Sequence, residues 1–394
     1  MTALDPAQPL LEASHDAPVS APAAALPQIL AQSGLSPVDA ALRYAKVCLG
    51  PGKLNFSDFV RLRLFDDAFV EGPLDEFIGL RRNLELCHVV NHRHDWFGLM
   101  ANKIASRSYL AAYGLPTLPV AALYAPGLRA EAHAGAPQVL GDTAALEGFL
   151  RDPAAYPLFG KPVEGFQSLG SIALTGVSAD GLTLQRVGGT GVALAEFVGE
   201  VVASYGEGYV LQPLMRPHPD IEVLCGPRLA TVRVVTLLGE GGPEILGAAW
   251  KIPGGANTAD NFWRPGNLLA QLDLATGAVK RVVTGSGFDL KPAEHHPDTG
   301  AAFAGVHHPD WRRLCDLALE GARLMRHVPL IGWDLAGLKD GPVVVEMNET
   351  PDVSLIQLAE RKGFLTPAFA AVVERQRAAA KARHKQNQAA VAKL

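Results

Sequence analysis

At 394 residues, 48% hydrophobic and 19% charged, the chain is long enough for two or three packed units and too apolar to be disordered throughout. Its formal net charge of -5 offers no general attraction to nucleic acid or to an anionic membrane surface, so the expected partner is a small molecule. The four cysteines form no CxxC pair, no run reaches the roughly 18 apolar residues of a membrane helix, and the N-terminus lacks a signal peptide's pattern. The expected setting is the cytoplasm, with no membrane span.

Residues 1–35, rich in Ala and Pro with little periodicity, read as a mobile leader. Residues 36–115 read as a helical segment: Ser36 is placed to cap, Pro37 takes the first helical position, and Val38, Leu42 and the run 44–47 follow at helical spacing. A further helix over 102–113 ends at Gly114, with Pro116 just beyond. Between them lie Cys87, His88, His92 and His94. On a helix His88 and His92 share a face and His94 does not, so packed or exposed histidines are favoured over a transition-metal site.

In residues 116–210 short β-type runs (119–124, 158–162, 171–175, 182–187) alternate with helical stretches at 143–150 and 194–204. The strands lengthen over residues 211–372. Runs 229–238 and 244–252 flank a Gly-rich turn as a hairpin, 311–327 is an amphipathic helix, and 331–338 with 343–348 form a second hairpin. Residues 373–394 read as a polar, solvated helical tail. Mixed strands and helices without a βαβ rhythm predict an α+β fold with two sheet-bearing lobes behind the helical N-terminal segment.

The second hairpin is the most informative stretch. A three-residue loop, Lys339-Asp340-Gly341, would set Asp334 opposite Glu346, with Asn348 two residues on along the same face. Trp333, Leu335, Val343, Val345 and Met347 would then point into a core. Facing carboxylates repel unless something positive lies between them. A hard cation with oxygen ligands fits, and the Asn348 amide offers a third ligand; carboxylates paired with Lys or Arg are the competing reading.

Cations and backbone donors occur where a polyphosphate would need them. Lys161 ends a short strand, and Gly165, Ser168 and Gly170 follow in a loop able to turn N–H groups toward phosphate. Lys103 opens the helix before Gly114. Arg233, flanked by valines, demands an anionic partner, and Lys251 on the next strand would face Arg233 if the hairpin loop has an odd length.

In this order the segments resemble the ATP-grasp superfamily over roughly residues 102–357. The ending Asp334…Glu346-x-Asn348 is similar to the magnesium site of D-alanine–D-alanine ligases and their relatives. Lys103 resembles the family's first phosphate-contacting lysine, and Lys161 with the Gly165–Gly170 loop its second lysine and phosphate-closing hairpin. Residues 209–214, with Gln212, Pro213 and Leu214, resemble the hinge strand that pairs with adenine. Thr231-Val-Arg233-Val-Val-Thr236, Asp260-Asn261-Phe262 and Gly332-Trp-Asp334 resemble the sugar-transfer-associated ATP-grasp proteins in particular.

The resemblance implies an ATP-grasp fold of two α+β lobes clasping ATP, with one or two Mg²⁺ (or Mn²⁺) on Asp334, Glu346 and Asn348. It implies a ribose-binding acid after the hinge, Asp220 or Glu222. The activity it implies is ATP-dependent ligation of a carboxylate and an amine, sugar-linked ones included, through an acyl phosphate in cell-surface polysaccharide synthesis. Lys103, Lys161, Arg233 and Lys251 would offset charge on the transferring phosphoryl group. The loop 254–264 would help close the acceptor site. A phosphotransferase and a non-catalytic ATP-binding protein are the alternatives. Asn102 and Gln212 depart from the family's usual acids, and a helical segment stands where an α/β domain is usual.

Overall fold

The computed structural model describes residues 21–129, 136–165 and 168–391. Six helices come first: α1 (Pro22–Ser33), α2 (Pro37–Leu49), α3 (Phe56–Arg61), α4 (Leu80–Val90), α5 (Phe97–Ala101) and α6 (Lys103–Ala112). The leader reading is corrected at α1, which packs Ala25 and Ile29 into the core; residues 1–20 lie outside the described residues. Polar caps set the other starts. The Ser36 hydroxyl accepts from the Asp39 amide, Asn55 and Asp58 form a reciprocal capping box, and the Asn102 carboxamide accepts from the amides of Ile104 and Ala105.

The first sheet contains β1 (Ala122–Tyr124), β2 (Gln138–Leu140), β3 (Leu158–Pro162), β4 (Ile172–Val177), β5 (Thr183–Arg186), β6 (Gly191–Ala193) and β7 (Tyr209–Pro213), in spatial order β2-β1-β7-β3-β4-β5-β6. Helices α7 (Thr143–Arg151) and α8 (Leu194–Ser204) cover it, burying Leu146, Leu150, Phe197 and Val201 against Leu158, Leu174 and Tyr209.

The second sheet contains β8 (Thr231–Gly239), β9 (Gly242–Ile252), β10 (Leu268–Leu272), β11 (Val279–Thr284), β12 (Lys291–Pro292), β13 (Leu330–Leu338) and β14 (Gly341–Asn348), in the order β12-β11-β10-β9-β8-β13-β14. Helices α9 (Pro219–Cys225), α10 (Trp311–Leu324), α11 (Ser354–Glu360) and α12 (Pro367–Val391) complete the chain. On one face Val232, Val234, Trp250, Trp333 and Leu335 pack against Leu314, Ala318 and Ala322 of α10. A Cβ on Gly321 of α10 would stand 2.6 Å from the Trp333 ring, so the close approach requires glycine.

The opposite face carries Val235, Leu237, Ala249 and Leu269, packed against Ile356 of α11 and against Phe59, Phe65 and Phe77 of the N-terminal segment. Buried amides tie that segment down. Gln357 bonds both the N–H and the carbonyl of Ile78 at 2.9 Å, Asn83 donates to the Pro351 carbonyl at 2.7 Å, and Asn91 bonds Leu330 in both directions. The N-terminal helices thus cover part of the same sheet face that holds Arg233 and Lys251. The histidine pattern also resolves here. Helix α4 stops at Val90, so the chain folds His94, not His92, back onto His88, with ring centroids 5.0 Å apart.

Candidate functional site

A cavity of about 720 Å³ opens between the two sheets. It is lined by Phe159 and Lys161 of β3, Gln212 and Pro213 of β7, and Arg233, Lys251, Asp334 and Glu346 from adjacent strands of the second sheet. Lys103, Gly165, Ser168, Leu214 and Asn348 also line it, so most of the residues singled out from the sequence converge. Gly170 lies outside the lining, and so does Asp220, whose side chain is 79% exposed on α9. The alternative acid, Glu222, is held by Arg216 and also lies outside it. The ribose role read for these acids is therefore withdrawn: α9 follows the hinge in sequence but turns them to the surface.

The acidic pair forms in the expected register by a different route. The turn has two residues, Lys339 and Asp340, which pairs Leu338 with Gly341 and Leu335 with Val344. That register alone would set Asp334 against Val345. A bulge between Asp334 and Leu335 takes up one residue of β14 and restores Asp334 opposite Glu346. Two core assignments change with it. Val344 joins Trp333, Leu335 and Met347, whereas Val343 and Val345 turn toward Leu118, Ala336 and Leu338.

Asp334 is buried and held by two cations. Arg233 grips it through both edges of the carboxylate, Nε to Oδ1 at 2.7 Å and Nη2 to Oδ2 at 2.9 Å, and Lys251 Nζ stands 3.2 Å from Oδ1. Burial alone would raise the Asp334 pKa; Arg233 and Lys251 overcome it and hold the group ionised well below the usual carboxylate range. The expected facing of Lys251 and Arg233 is corrected. The loop Glu240-Gly241 is even and a bulge follows Val235, so Arg233 pairs with Ala249 on one side and Asp334 on the other. Lys251 comes to the same carboxylate from two residues along β9 and also approaches Asp260, at 3.7 Å.

Glu346 differs from its partner. Among the described residues its carboxylate enters no hydrogen bond or ion pair, while its charge acts on Lys161. Burial lowers the Lys161 pKa to about 8, with Glu346 and Asp334 pulling upward and Lys103 downward. Lys103 Nζ donates to the Gly165 carbonyl at 2.9 Å, and Arg264 Nη2 to the Ser168 carbonyl at 3.4 Å. Gly165 (φ 141°), Ser168 (φ 58°) and Gly170 (φ 74°) all take positive φ. Phe166 and Gln167 lie outside the described residues. At the hinge, Gln212 Nε2 donates to the Pro119 carbonyl at 3.2 Å and Leu214 N to the Pro157 carbonyl at 2.9 Å. Because Pro213 has no N–H and that of Leu214 is engaged, neither supplies the backbone donor expected for adenine.

Several lining residues had little sequence signal. Asp58, Arg61, Leu80 and Leu84 reach the cavity from the N-terminal segment, which the sequence did not connect to the site. Asp260, which the sequence marked only through the family resemblance, accepts from the amide and hydroxyl of Thr231 at 2.7 and 2.5 Å and so fixes the start of β8. Trp263 donates to Asp352 at 3.1 Å, and Asp352 also accepts from the Ser354 amide at 3.0 Å. An Asp two residues before a helical run is a recognisable cap, the one signal that could have marked Asp352.

Residues 200–372 match the family described as sugar-transfer associated ATP-grasp. No curated protein matches the chain. Among solved structures it is similar to the D-alanine-D-alanine ligase from Coxiella burnetii, at 13% identity and a TM-score of 0.42, covering 75% of this chain and 62% of that one. It is similar to D-alanyl-alanine synthetase A from Vibrio cholerae, at 12% identity and a TM-score of 0.39, covering 71% and 66%. It is also similar to the L-amino acid ligase from Bacillus licheniformis, at 14% identity and a TM-score of 0.37, covering 70% and 48%. The chain thus spans less than two thirds of the length of the Coxiella and Bacillus enzymes. No helix among the described residues is long and apolar enough to cross a membrane. The residues 200–372 that match the sugar-transfer associated ATP-grasp family supply the cavity's acidic wall, Asp334 and Glu346, together with Arg233 and Lys251.

Proposed function

We propose that the chain is an ADP-forming carboxylate–amine ligase. The observation that carries this reading is the meeting of Lys103, Lys161, Arg233 and Lys251 with Asp334, Glu346 and Asn348 in one cavity, with hinge residues Gln212 to Leu214 in the same wall. The adenine would lie among Phe159, Ala173, Leu214 and Met215, and the phosphates would extend toward the lysines. A carboxylate oxygen of the acceptor attacks the γ-phosphorus, the β–γ bridging P–O bond breaks, and ADP leaves. An amine nitrogen then attacks the acyl carbon, expels phosphate and loses a proton, giving an amide.

The chain's own groups support these steps by position and charge. Lys161 and Lys103 offset charge on the γ-phosphoryl oxygens. Arg233 and Lys251 fix Asp334 in one ionised geometry. The donors also suit a magnesium ion. Among the described residues no three His, Cys, Asp or Glu side chains converge. The set would instead be the unpaired Glu346 carboxylate, the Asn348 amide oxygen and Asp334 Oδ2, which carries one donor and keeps a lone pair. Bound there, the ion would withdraw charge from the phosphates in transfer. The reading extends to sugar-linked carboxylate or amine substrates, with cell-surface polysaccharide synthesis as the proposed setting, in keeping with the description of the matched family.

The test is ATP turnover to ADP by the full chain with Mg²⁺ across a panel of carboxylates and amines. Stimulation that requires both substrates supports the ligase. Stable transfer of phosphate to a hydroxyl, or ATP binding without turnover under every condition, would overturn it.

A further inference from the structure

Helix α2 has a side that neither the cavity nor the core uses. It buries Ala40 and Val47 against the core that joins the N-terminal segment to the second sheet. Val38, Leu42, Ala45 and Leu49 recur at intervals of four, three and four, which sets them in one stripe. At 3.6 residues per turn that stripe stands on the opposite side of the helix from Ala40 and Val47. Val38, Leu42 and Leu49 are 67%, 63% and 87% exposed. A surface helix ordinarily turns one apolar face inward and a polar face to water. Helix α2 is apolar on both, over about 16 Å of its length.

The charges beside the stripe indicate what covers it. Asp39 and Lys46, seven residues apart, lie along one edge, and both are exposed. Among the described residues Lys46 enters no hydrogen bond or ion pair, and the Asp39 carboxylate accepts only from the Ser36 hydroxyl at the cap. The other edge carries Ala41 and Cys48, small enough for a second helix to approach closely. Two copies of α2 run antiparallel about a two-fold axis would place Val38 of each beside Leu49 of the other, Leu42 beside Ala45, and Asp39 beside Lys46. A parallel pair would set each stripe residue against itself and leave both charges without an opposite.

We infer that α2 is a docking surface for a second copy of this chain, paired antiparallel through Val38, Leu42, Ala45 and Leu49 with two Asp39–Lys46 ion pairs at the edge. The stripe supplies the attraction and the charges set the orientation. One pair of 13-residue helices is smaller than a standard interface, so the dimer is weak, with a dissociation constant of about 1–100 µM. The inference is independent of the ligase reading and would stand if that reading failed.

Sedimentation equilibrium of the full chain, from about 5 to about 500 µM, reads the association. Leu42→Asp should weaken it at least about 100-fold, a factor of about ten for each of the two leucines withdrawn. Asp39→Lys and Lys46→Asp should each self-associate about tenfold more weakly, because both ion pairs become like-charge contacts. Mixed in equal amounts, those two variants should regain the affinity of the unaltered chain to within about threefold, which no change in the fold of either alone would produce. Melting temperatures of Leu42→Asp and Lys46→Asp, measured well below the dissociation constant, should stay within about 4 °C of the unaltered chain. A chain that remains monomeric to about 500 µM, or a dimer that Leu42→Asp leaves intact, would overturn the inference. So would a mixture no tighter than its components. A monomer that Leu42→Asp unfolds would show the stripe covered from within the chain, and would overturn it equally.

Discussion

Replacing Arg233 with alanine is the sharpest perturbation of the site's framework. The guanidinium contributes two short hydrogen bonds to Asp334, and the side chains are only 10% and 9% exposed, so the pair is shielded from solvent. Removing one partner of a buried pair costs about 3–5 kcal/mol, because the other charge is left uncompensated. Lys251 remains 3.2 Å from Oδ1 and offsets part of that charge, which puts Arg233→Ala near the lower end, about 3 kcal/mol. The assay is urea unfolding of Arg233→Ala, Asp334→Asn and the double variant, the third closing a thermodynamic cycle. The double variant should be less destabilised than the sum by about 1.5–3 kcal/mol. The pH dependence has a definite sign. The folded pKa of Asp334 is depressed, so its stabilisation is present above the unfolded value near 4 and fades as pH falls toward the folded one. Arg233→Ala should flatten that acid limb. A coupling under about 0.5 kcal/mol, with an unchanged limb, would refute the argument.

Three further outcomes follow from the geometry. Lys161 titrates near pH 8 in the free protein, so ATP affinity should fall as pH rises through about 8, and Lys161→Met should lose that dependence along with most of the affinity; calorimetry from pH 6.5 to 9.5 reads both. Gly170→Ala should destabilise the first lobe by about 1–3 kcal/mol in thermal unfolding, because its φ is 74° and a Cβ would stand 2.2 Å from the Tyr205 hydroxyl. Glu346→Gln should leave the unfolding midpoint within about 0.5 kcal/mol, since the carboxylate has no partner among the described residues, yet abolish Mg²⁺-dependent ATP turnover.

Local chemistry carried most of what the sequence disclosed. Ser36, Asn102 and Gly114 mark helix ends because caps and stops are satisfied within a few residues. The pairing of Asp334 with Glu346 was legible because alternation is strict in a strand. The exact turn was not, since a two-residue loop plus a bulge and a three-residue loop give the same register at those two positions and differ only between them and the turn, over Gly341 to Val345. The same ambiguity misplaced Lys251 opposite Arg233. Alanine-rich α1 gave no hydrophobic stripe, so its two buried contacts could not be seen in advance. Asp220 failed for a different reason: distance along the chain from the hinge says nothing about which way a short helix turns its acids. Arg61 and Leu84 were invisible because they reach the cavity through packing of distant segments, which no local pattern encodes.

The central claim is an acyl phosphate made from ATP, and isotope transfer tests it most directly. The carboxylate that most stimulates ADP release is supplied with both oxygens as ¹⁸O, together with ATP, Mg²⁺ and an amine, and the released phosphate is analysed by mass. The ligase account predicts one ¹⁸O in each phosphate formed per amide, because the carboxylate oxygen that attacked phosphorus departs with it. Phosphate free of label alongside labelled substrate would contradict it.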